Sequence, residues 1–341
     1  MTAARPTLRW GIAGAMIRSA MSPAMGRVPG HELVAVARRD RAAAEAFAER
    51  HGARRAHGSV EALVADDEVD AVYVATPVAR HLPDTLAAAR AGKHVLVEKP
   101  MALSAREAEQ MRDACDNAGM QCMVCFYQRY NARHRKIKVL LEARAIGQVT
   151  AVRLNFSGRV PDRPGAWRLD RAQSGGGCYM DNASHCVDLL RFLFGEIVAA
   201  SAFVDTLAAR YDVEDTATSL LRLANGAHAV VTSYWSTDDP DERRTSMLEI
   251  LGTEGAIVST PLHDKFSRGR LSVVRRAGEE NYAFEESTHV AVLEEFAAAL
   301  AERRTPGVSA ADGIAALRVV EAVYESAGIG RTISISPPGA D

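Results

Sequence analysis

The sequence predicts an α/β chain: an N-terminal doubly wound parallel sheet, then an α+β half with a largely antiparallel open sheet. Three observations carry this. Up to Phe126, short apolar runs alternate with helical stretches, as in a parallel sheet covered by helices on both faces. From Ile197 to Ile257, strand-like segments follow one another directly, and Asn225-Gly226 between two of them is a hairpin signal. Arg129 to Gly147 reads as a linking helix, which divides the chain into domains 1–128 and 129–341.

Composition bounds what such a chain can do. At 341 residues it is long for one domain, and its 48% hydrophobic and 25% charged residues are those of an ordinary soluble globular protein. A net charge of -2 without a basic block argues against nucleic acid as a partner. No run is apolar over the length of a membrane span, and Met1 to Arg5 enters a strand-like run without a signal-peptide core. A cytoplasmic protein with no membrane partner is expected. Five cysteines, Cys115, Cys122, Cys125, Cys178 and Cys186, fit reduced thiols. Cys122 and Cys125 have CxxC spacing, but no second pair accompanies them and strand periodicity turns the two thiols to opposite faces. They read as core, and no metal is expected.

The first strand, Leu8 to Ile12, runs into Gly11-Ile12-Ala13-Gly14-Ala15-Met16-Ile17-Arg18-Ser19-Ala20, an approximate G-x-G-x-x-G/A loop. Gly14 fits the first glycine, and Ser19 or Ala20 the small residue that lets helix and strand close. Met16 stands where a second glycine would let the backbone approach a pyrophosphate. Gly11, Gly14, Ala15, Met16 and Ile17 are the candidate dinucleotide contacts of this loop. Either the phosphates take a shifted path over the helix N-terminus, or the loop holds them less tightly. The second strand, Glu32 to Ala37, ends in Arg38-Arg39-Asp40 before a helical stretch, Ala42 to Arg50. Two arginines near the position of the usual ribose-binding carboxylate could clamp a 2′-phosphate, so NADP(H) is expected over NAD(H). The alternative is that Asp40 caps the next helix and the arginines are solvated.

A short helix at Val60–Val64 and a buried strand at Asp70–Ala75 come next. After Thr76-Pro77, the helix Ala79–Ala91 contains His81. Val95, Leu96 and Val97 form another buried strand, and Glu98, Lys99 and Pro100 fall just past its carboxyl end. Ligands of open α/β sheets bind there, and Pro100 restricts Lys99 to extended geometry. Ser104 caps a helix to about Ala118, with Glu107 at capping-box spacing, and Cys122 to Phe126 closes the sheet.

In the second half, Val149 to Phe156 alternates as a strand. The stretch containing Trp167 and Arg168 leads into Gly175-Gly176-Gly177, which tolerates close approach of another backbone or a ligand. A helix over Met180–Phe194 carries Asp181, His185 and Asp188 at i, i+4 and i+7 along one stripe. Cys186, Leu189, Leu190 and Leu193 supply its packing side, although a solvated pair on a surface helix has the same spacing. Strands at Val198–Asp205, Ala217–Leu223, Ala227–Tyr234, Met247–Gly252, Ala256–Ser259 and Leu271–Val274 build the open sheet. Helices at Val290–Arg303 and Ala310–Ala327 follow, then a Pro-Pro-Gly tail that reads as disordered.

Taken together, these pieces resemble the Gfo/Idh/MocA family (glucose–fructose oxidoreductase, inositol dehydrogenase, rhizopine catabolism). The first half matches in Gly11-Ile12-Ala13-Gly14, Ala75-Thr76-Pro77 with His81, Ala91-Gly92-Lys93-His94-Val95 and Glu98-Lys99-Pro100. The second half matches in Gly175-Gly176-Gly177 with Asp181, His185 and Asp188, in Glu214-Asp215-Thr216-Ala217, in Asn225-Gly226 and in Gly252-Thr253-Glu254-Gly255. Departures fall at Met16, at Val78 where asparagine is frequent, and at Ala183 where glycine is frequent. The resemblance implies a Rossmann domain and a catalytic set of Lys99, Asp181 and His185. It adds Thr76, Pro77 and His81 on the cofactor side and Glu98 against the nicotinamide ribose. It also implies a homodimer or homotetramer assembled through the C-terminal sheet.

The chemistry is coherent. Oxidising a secondary alcohol needs a base for the hydroxyl proton while hydride leaves carbon, and histidine titrates near working pH. That places His185 as proton donor/acceptor. The Lys99 ammonium stabilises a developing alkoxide or polarises a carbonyl. Asp181 binds a substrate hydroxyl, with Trp167 and Arg168 as further substrate-side candidates. The expected activity is NADP(H)-preferring hydride transfer to or from a sugar, cyclitol or related polyhydroxylated carbonyl or alcohol. Two rivals stay open: a glycosidase using bound NAD as a transient oxidant, and a non-catalytic cofactor sensor that binds a partner protein.

Overall fold

The computed structural model describes residues 7–14, 21–163, 165–238, 246–262 and 267–336. They form two compact units, Met1–Phe126 with His289–Ile314, and Tyr127–Thr288 with Ala315–Asp341. The return of 289–314 to the first unit is a long-range feature that a division into 1–128 and 129–341 does not carry.

The first unit holds strands β1 (Leu8–Gly14), β2 (His31–Ala37), β3 (Arg55–His57), β4 (Ala71–Ala75), β5 (His94–Val97) and β6 (Cys122–Val124). All pairings are parallel, in the order β3-β2-β1-β4-β5-β6. β4 is buried along its whole length, which its run of Ala, Val and Tyr permits. Helix termini follow the local chemistry. Asp40 caps Arg41–His51 by accepting from the Ala43 N–H at 3.1 Å. Ser104 accepts from the Glu107 N–H at 3.2 Å, and Glu107 accepts from the Leu103 N–H at 3.1 Å, one residue beyond the N-cap N–H of the usual capping box. The 289–314 segment joins this unit through Phe296, whose ring lies 5.3 Å from that of Trp10, and through the Val308 carbonyl, which accepts from the Val124 N–H.

Among the described residues the second unit holds nine strands: β7 (Val149–Phe156), β8 (Ile197–Asp205), β9 (Thr216–Leu223), β10 (His228–Tyr234), β11 (Ser246–Gly252), β12 (Gly255–Thr260), β13 (Arg270–Arg275), β14 (Gly278–Tyr282) and β15 (Ile333–Ser334). Their order is β14-β13-β12-β11-β7-β10-β9-β8-β15, antiparallel except where β7 meets β10. One face is core, with Val152, Leu154, Leu221, Ala229, Val231 and Ile250 buried. Alternation turns Phe203, Leu220 and Val274 to the other face, where they are exposed.

Two helices differ from the sequence reading. The linking helix starts later: Tyr127–Tyr130 is a 3-10 turn, and the α-helix spans Ala132–Glu142 after Asn131 caps it. The helix expected at Met180–Phe194 opens with a π-helical turn, Tyr179–Ala183, and becomes α-helical only at Ser184–Phe194. The sequence reading does not include β3, β14 or β15; β3 has three residues and none fully buried, and β14 pairs through the polar, exposed Glu279 and Glu280 without apolar alternation. Ala15, Met16 and Ile17, with Ser19 and Ala20, lie outside the described residues, as does the Pro337-Pro338-Gly339 tail. All five cysteines are free and buried. No described helix is long and apolar enough to cross a membrane.

Candidate functional site

In the first unit the predicted residues gather at the carboxyl ends of β1, β4 and β5. Strand order reverses between β1 and β4, the point where open sheets of this kind part to admit a ligand. Gly14 ends β1 at φ +85°, and a Cβ there would stand 2.6 Å from the Ala75 carbonyl oxygen and 2.8 Å from the Thr76 nitrogen. Only glycine serves in that turn. Gly11 lies within β1, where its Cα faces Leu63 and Val69.

Glu98 follows β5 and is buried. One carboxylate oxygen accepts from the Tyr73 hydroxyl on β4, and the other accepts from the Lys99 N–H at 3.1 Å. The Lys99-Pro100 peptide is cis. His81 is a tie between two loops: Nε2 lies 2.9 Å from the Thr76 carbonyl, and Nδ1 lies 3.1 and 3.2 Å from those of Pro100 and Met101. Burial pushes its pKa down to about 4, so near pH 7 the ring is neutral, and with a single N–H it hydrogen-bonds one of these loops and only packs against the other. Thr76 donates its hydroxyl to Asp84 at 2.8 Å, and Arg80 holds the same carboxylate at 2.6 Å. Pro77 leads into the 3-10 turn Val78–Arg80. Arg38 Nη1 donates to the Ala43 carbonyl at 3.3 Å, while Arg39 is exposed. A dinucleotide fits this end of the sheet: a positive-φ glycine turns the chain at the end of β1, a buried carboxylate stands at β5, and arginines follow β2.

The triple glycine of the second unit is explained by a backbone. A Cβ on Gly177 would overlap the Glu214 carbonyl oxygen, and one on Gly176 would overlap the Tyr324 hydroxyl. The buried Glu214 side chain accepts from the Tyr179 N–H at 3.0 Å and the Tyr324 hydroxyl at 2.7 Å, which fastens the start of the π-helical turn. That turn delivers Asp181. Arg168 approaches the Asp181 carboxylate at 3.4 Å, with its guanidinium 4.5 Å from the Trp167 ring centre. Trp167, Arg168 and Asp181, predicted separately, are therefore neighbours.

One turn further, His185 is 2% exposed. The Tyr127 ring meets it edge-on at 4.8 Å, and Phe156 lies at 5.8 Å. Asp188, on the same stripe, is buried in a two-pronged ion pair with Arg129: Nε lies 3.0 and 3.1 Å from its oxygens and Nη2 2.6 Å from one of them.

Sequence reasoning did not single out Tyr73, Tyr127, Arg129, Glu214 as a carboxylate, or Tyr324. Tyr73 had a usable signal: a tyrosine within an otherwise aliphatic buried strand needs a partner for its hydroxyl. The others act over long sequence distances and leave no local mark.

Comparison with known proteins agrees with this architecture. Residues 8–126 match an oxidoreductase family with an NAD-binding Rossmann fold, and residues 134–258 match the GFO/IDH/MocA C-terminal domain. The chain is 30% identical to 1,5-anhydro-D-fructose reductase of Ensifer adhaerens over 332 residues, 96% of this chain and 98% of the relative. It is 32% identical to D-xylose 1-dehydrogenase (NADP(+)) 2 of Haloferax volcanii over 329 residues, 95% and 98% of the two chains. Among solved structures, aldose-aldose oxidoreductase from Caulobacter crescentus, complexed with glycerol, superposes with a TM-score of 0.88 at 28% identity. That match covers 96% of this chain and all of the other.

Proposed function

The chain belongs to the Gfo/Idh/MocA family of NAD(P)-dependent oxidoreductases, and from that premise we propose that it transfers hydride between NADP(H) and a sugar, cyclitol or related polyhydroxylated carbonyl or alcohol. The observation that carries the reading is His185, buried against two aromatic rings one turn beyond a carboxylate that an arginine holds. When bound, the nicotinamide supplies the hydride acceptor or donor. Asp181 accepts a hydrogen bond from a substrate hydroxyl, with Arg168 and Trp167 beside it. His185 takes the proton of the reacting hydroxyl, or returns it in reduction, and its aromatic surroundings exclude bulk water. Lys99 stabilises the developing alkoxide. Glu98, held by Tyr73, binds the nicotinamide ribose, while Gly14, Thr76 and Pro77 shape the cofactor-side wall; Gly11, packed on Leu63 and Val69, supports that wall from within β1. The tie made by His81 supports a scaffolding role behind that wall rather than direct contact.

Arg38 and Arg39 support NADP(H), because their charge favours a 2′-phosphate. The name of the Haloferax relative points the same way. The exposed Phe203 and Leu220 on adjacent strands support a homodimer or homotetramer through the open sheet face. Five free thiols support a reducing, cytoplasmic setting.

Titrating each reduced nicotinamide cofactor by fluorescence tests the preference, and tighter NADH than NADPH binding rejects the arginine argument alone. Lys99→Met and His185→Ala test the chemistry. Each is expected to lower kcat by at least about a hundredfold with cofactor affinity kept, and wild-type turnover in either removes the proposed site. Sugar release without net cofactor reduction would identify a glycosidase instead.

A further inference from the structure

We propose that the 3-10 turn Tyr127–Tyr130 is a positioning device for His185, anchored by the Arg129–Asp188 ion pair; this rests on the reading of His185 as the proton donor/acceptor. Arg129 and Tyr127 stand on the same turn, two residues apart. Asp188 and His185 stand on the same helix, three residues apart and therefore on one face. The ion pair and the ring contact are thus two rungs between the same two elements.

The lower rung is rigid. Two guanidinium nitrogens grip one carboxylate, both groups are nearly enclosed, and the Arg129 guanidinium lies 5.8 Å from the Phe192 ring centre on the same helix. Such a pair adds little net stability over an apolar replacement, but it fixes orientation because a fork meets a carboxylate in few geometries. The upper rung transmits that orientation. The Tyr127 ring plane stands at 67° to the imidazole, edge to face, and Phe156 closes another side at 35°. A helical imidazole can rotate about two side-chain bonds. With an aromatic edge at 4.8 Å, few of those rotations remain open. Proton transfer depends steeply on that angle, whereas binding of the substrate's remote hydroxyls does not.

The test separates positioning from folding. Tyr127→Leu keeps an apolar side chain but removes the ring, and Tyr127→Phe keeps the ring. The double variant Arg129→Met/Asp188→Leu replaces the ion pair by apolar groups without leaving a buried charge. For Tyr127→Leu and the double variant, kcat is expected to fall about tenfold with KM for the sugar unchanged and Tm close to wild type. Tyr127→Phe is expected to restore kcat. With ring-labelled histidine, the His185 Cε1–H resonance, assigned by its loss in His185→Ala, is expected to be ring-current shifted in the wild type and in Tyr127→Phe, and to move in Tyr127→Leu and in the double variant. If His185→Ala is inactive yet these variants keep wild-type kcat and an unmoved resonance, the positioning role is wrong while the catalytic reading stands. If His185→Ala keeps full turnover, the catalytic reading itself fails. Parallel loss of kcat, KM and Tm in both positioning variants would reduce the turn to a structural prop and overturn the proposal.

Discussion

Gly177→Ala puts the account of the triple glycine under direct strain. The added Cβ would overlap the Glu214 carbonyl oxygen and stand 2.9 and 3.0 Å from the Glu214 carbon and nitrogen. The obstacle is main chain, so no side-chain rotation relieves it. Glu214 must retreat, and its carbonyl then loses the Cys178 N–H that it accepts at 3.1 Å. The carboxylate is dragged from the Tyr179 N–H and the Tyr324 hydroxyl as well. Overpacking of this kind costs about 1–3 kcal/mol, and stranding a buried partner costs about as much again. A total of about 2–6 kcal/mol lowers Tm of a unit this size by about 10 °C. Gly176→Ala is the internal control. Its Cβ meets the Tyr324 hydroxyl, the far end of a side chain that can move at the cost of its bond to Glu214, and stands 3.0 Å from the Met180 Cβ, so a smaller loss of about 1–2 kcal/mol is expected. Scanning calorimetry on both variants, with kcat measured beside it, reads the difference. A Gly177→Ala protein melting within about 1 °C of wild type, or above Gly176→Ala, would refute the close approach of Glu214.

Three further outcomes follow from particular contacts. His81 and His134 are fully buried, and burial depresses their pKa values to about 4 and about 3. Each therefore binds fewer protons folded than unfolded, so stability is full above about pH 6.5 and falls below it; unfolding free energies from urea titrations at pH 7 and 4.5 should differ by about 2–3 kcal/mol per histidine, and a flat profile would contradict their burial as neutral rings. Tyr73→Phe removes a donor to the buried Glu98 and is expected to cost about 1–2 kcal/mol in stability and to weaken NADPH binding several-fold by fluorescence titration; unchanged affinity would detach Glu98 from the cofactor. Phe203 is 81% and Leu220 51% exposed on neighbouring strands, so Phe203→Asp/Leu220→Asp should lower the mass seen by light scattering, to one protomer from a dimer or to a smaller assembly from a tetramer, and an unchanged mass would move the interface elsewhere.

What the sequence by itself determined is whatever depends on neighbours in the chain. Apolar runs and period-two alternation marked β1, β2, β4 and β5 and most of the second sheet, because burial of a strand is written in consecutive residues. Ser104 as a cap and Asn225-Gly226 as a hairpin turn were equally legible, since both satisfy backbone groups within a few residues. The Glu98–Lys99–Pro100 segment and the Asp181–His185–Asp188 stripe stood out as residue types at a spacing. Tertiary structure alone decided what those residues touch. Gly177 is glycine because Glu214, 37 positions away, passes over it. Asp188 looked like a third member of a reactive stripe, yet it is engaged by Arg129, and the π-helical turn that delivers Asp181 is held by Glu214 and Tyr324. The pairing of β14 and the return of 289–314 to the first unit are of the same kind. Contacts between remote segments form only once the chain has closed its long loops, and side chains that act through such contacts carry no periodicity to read beforehand.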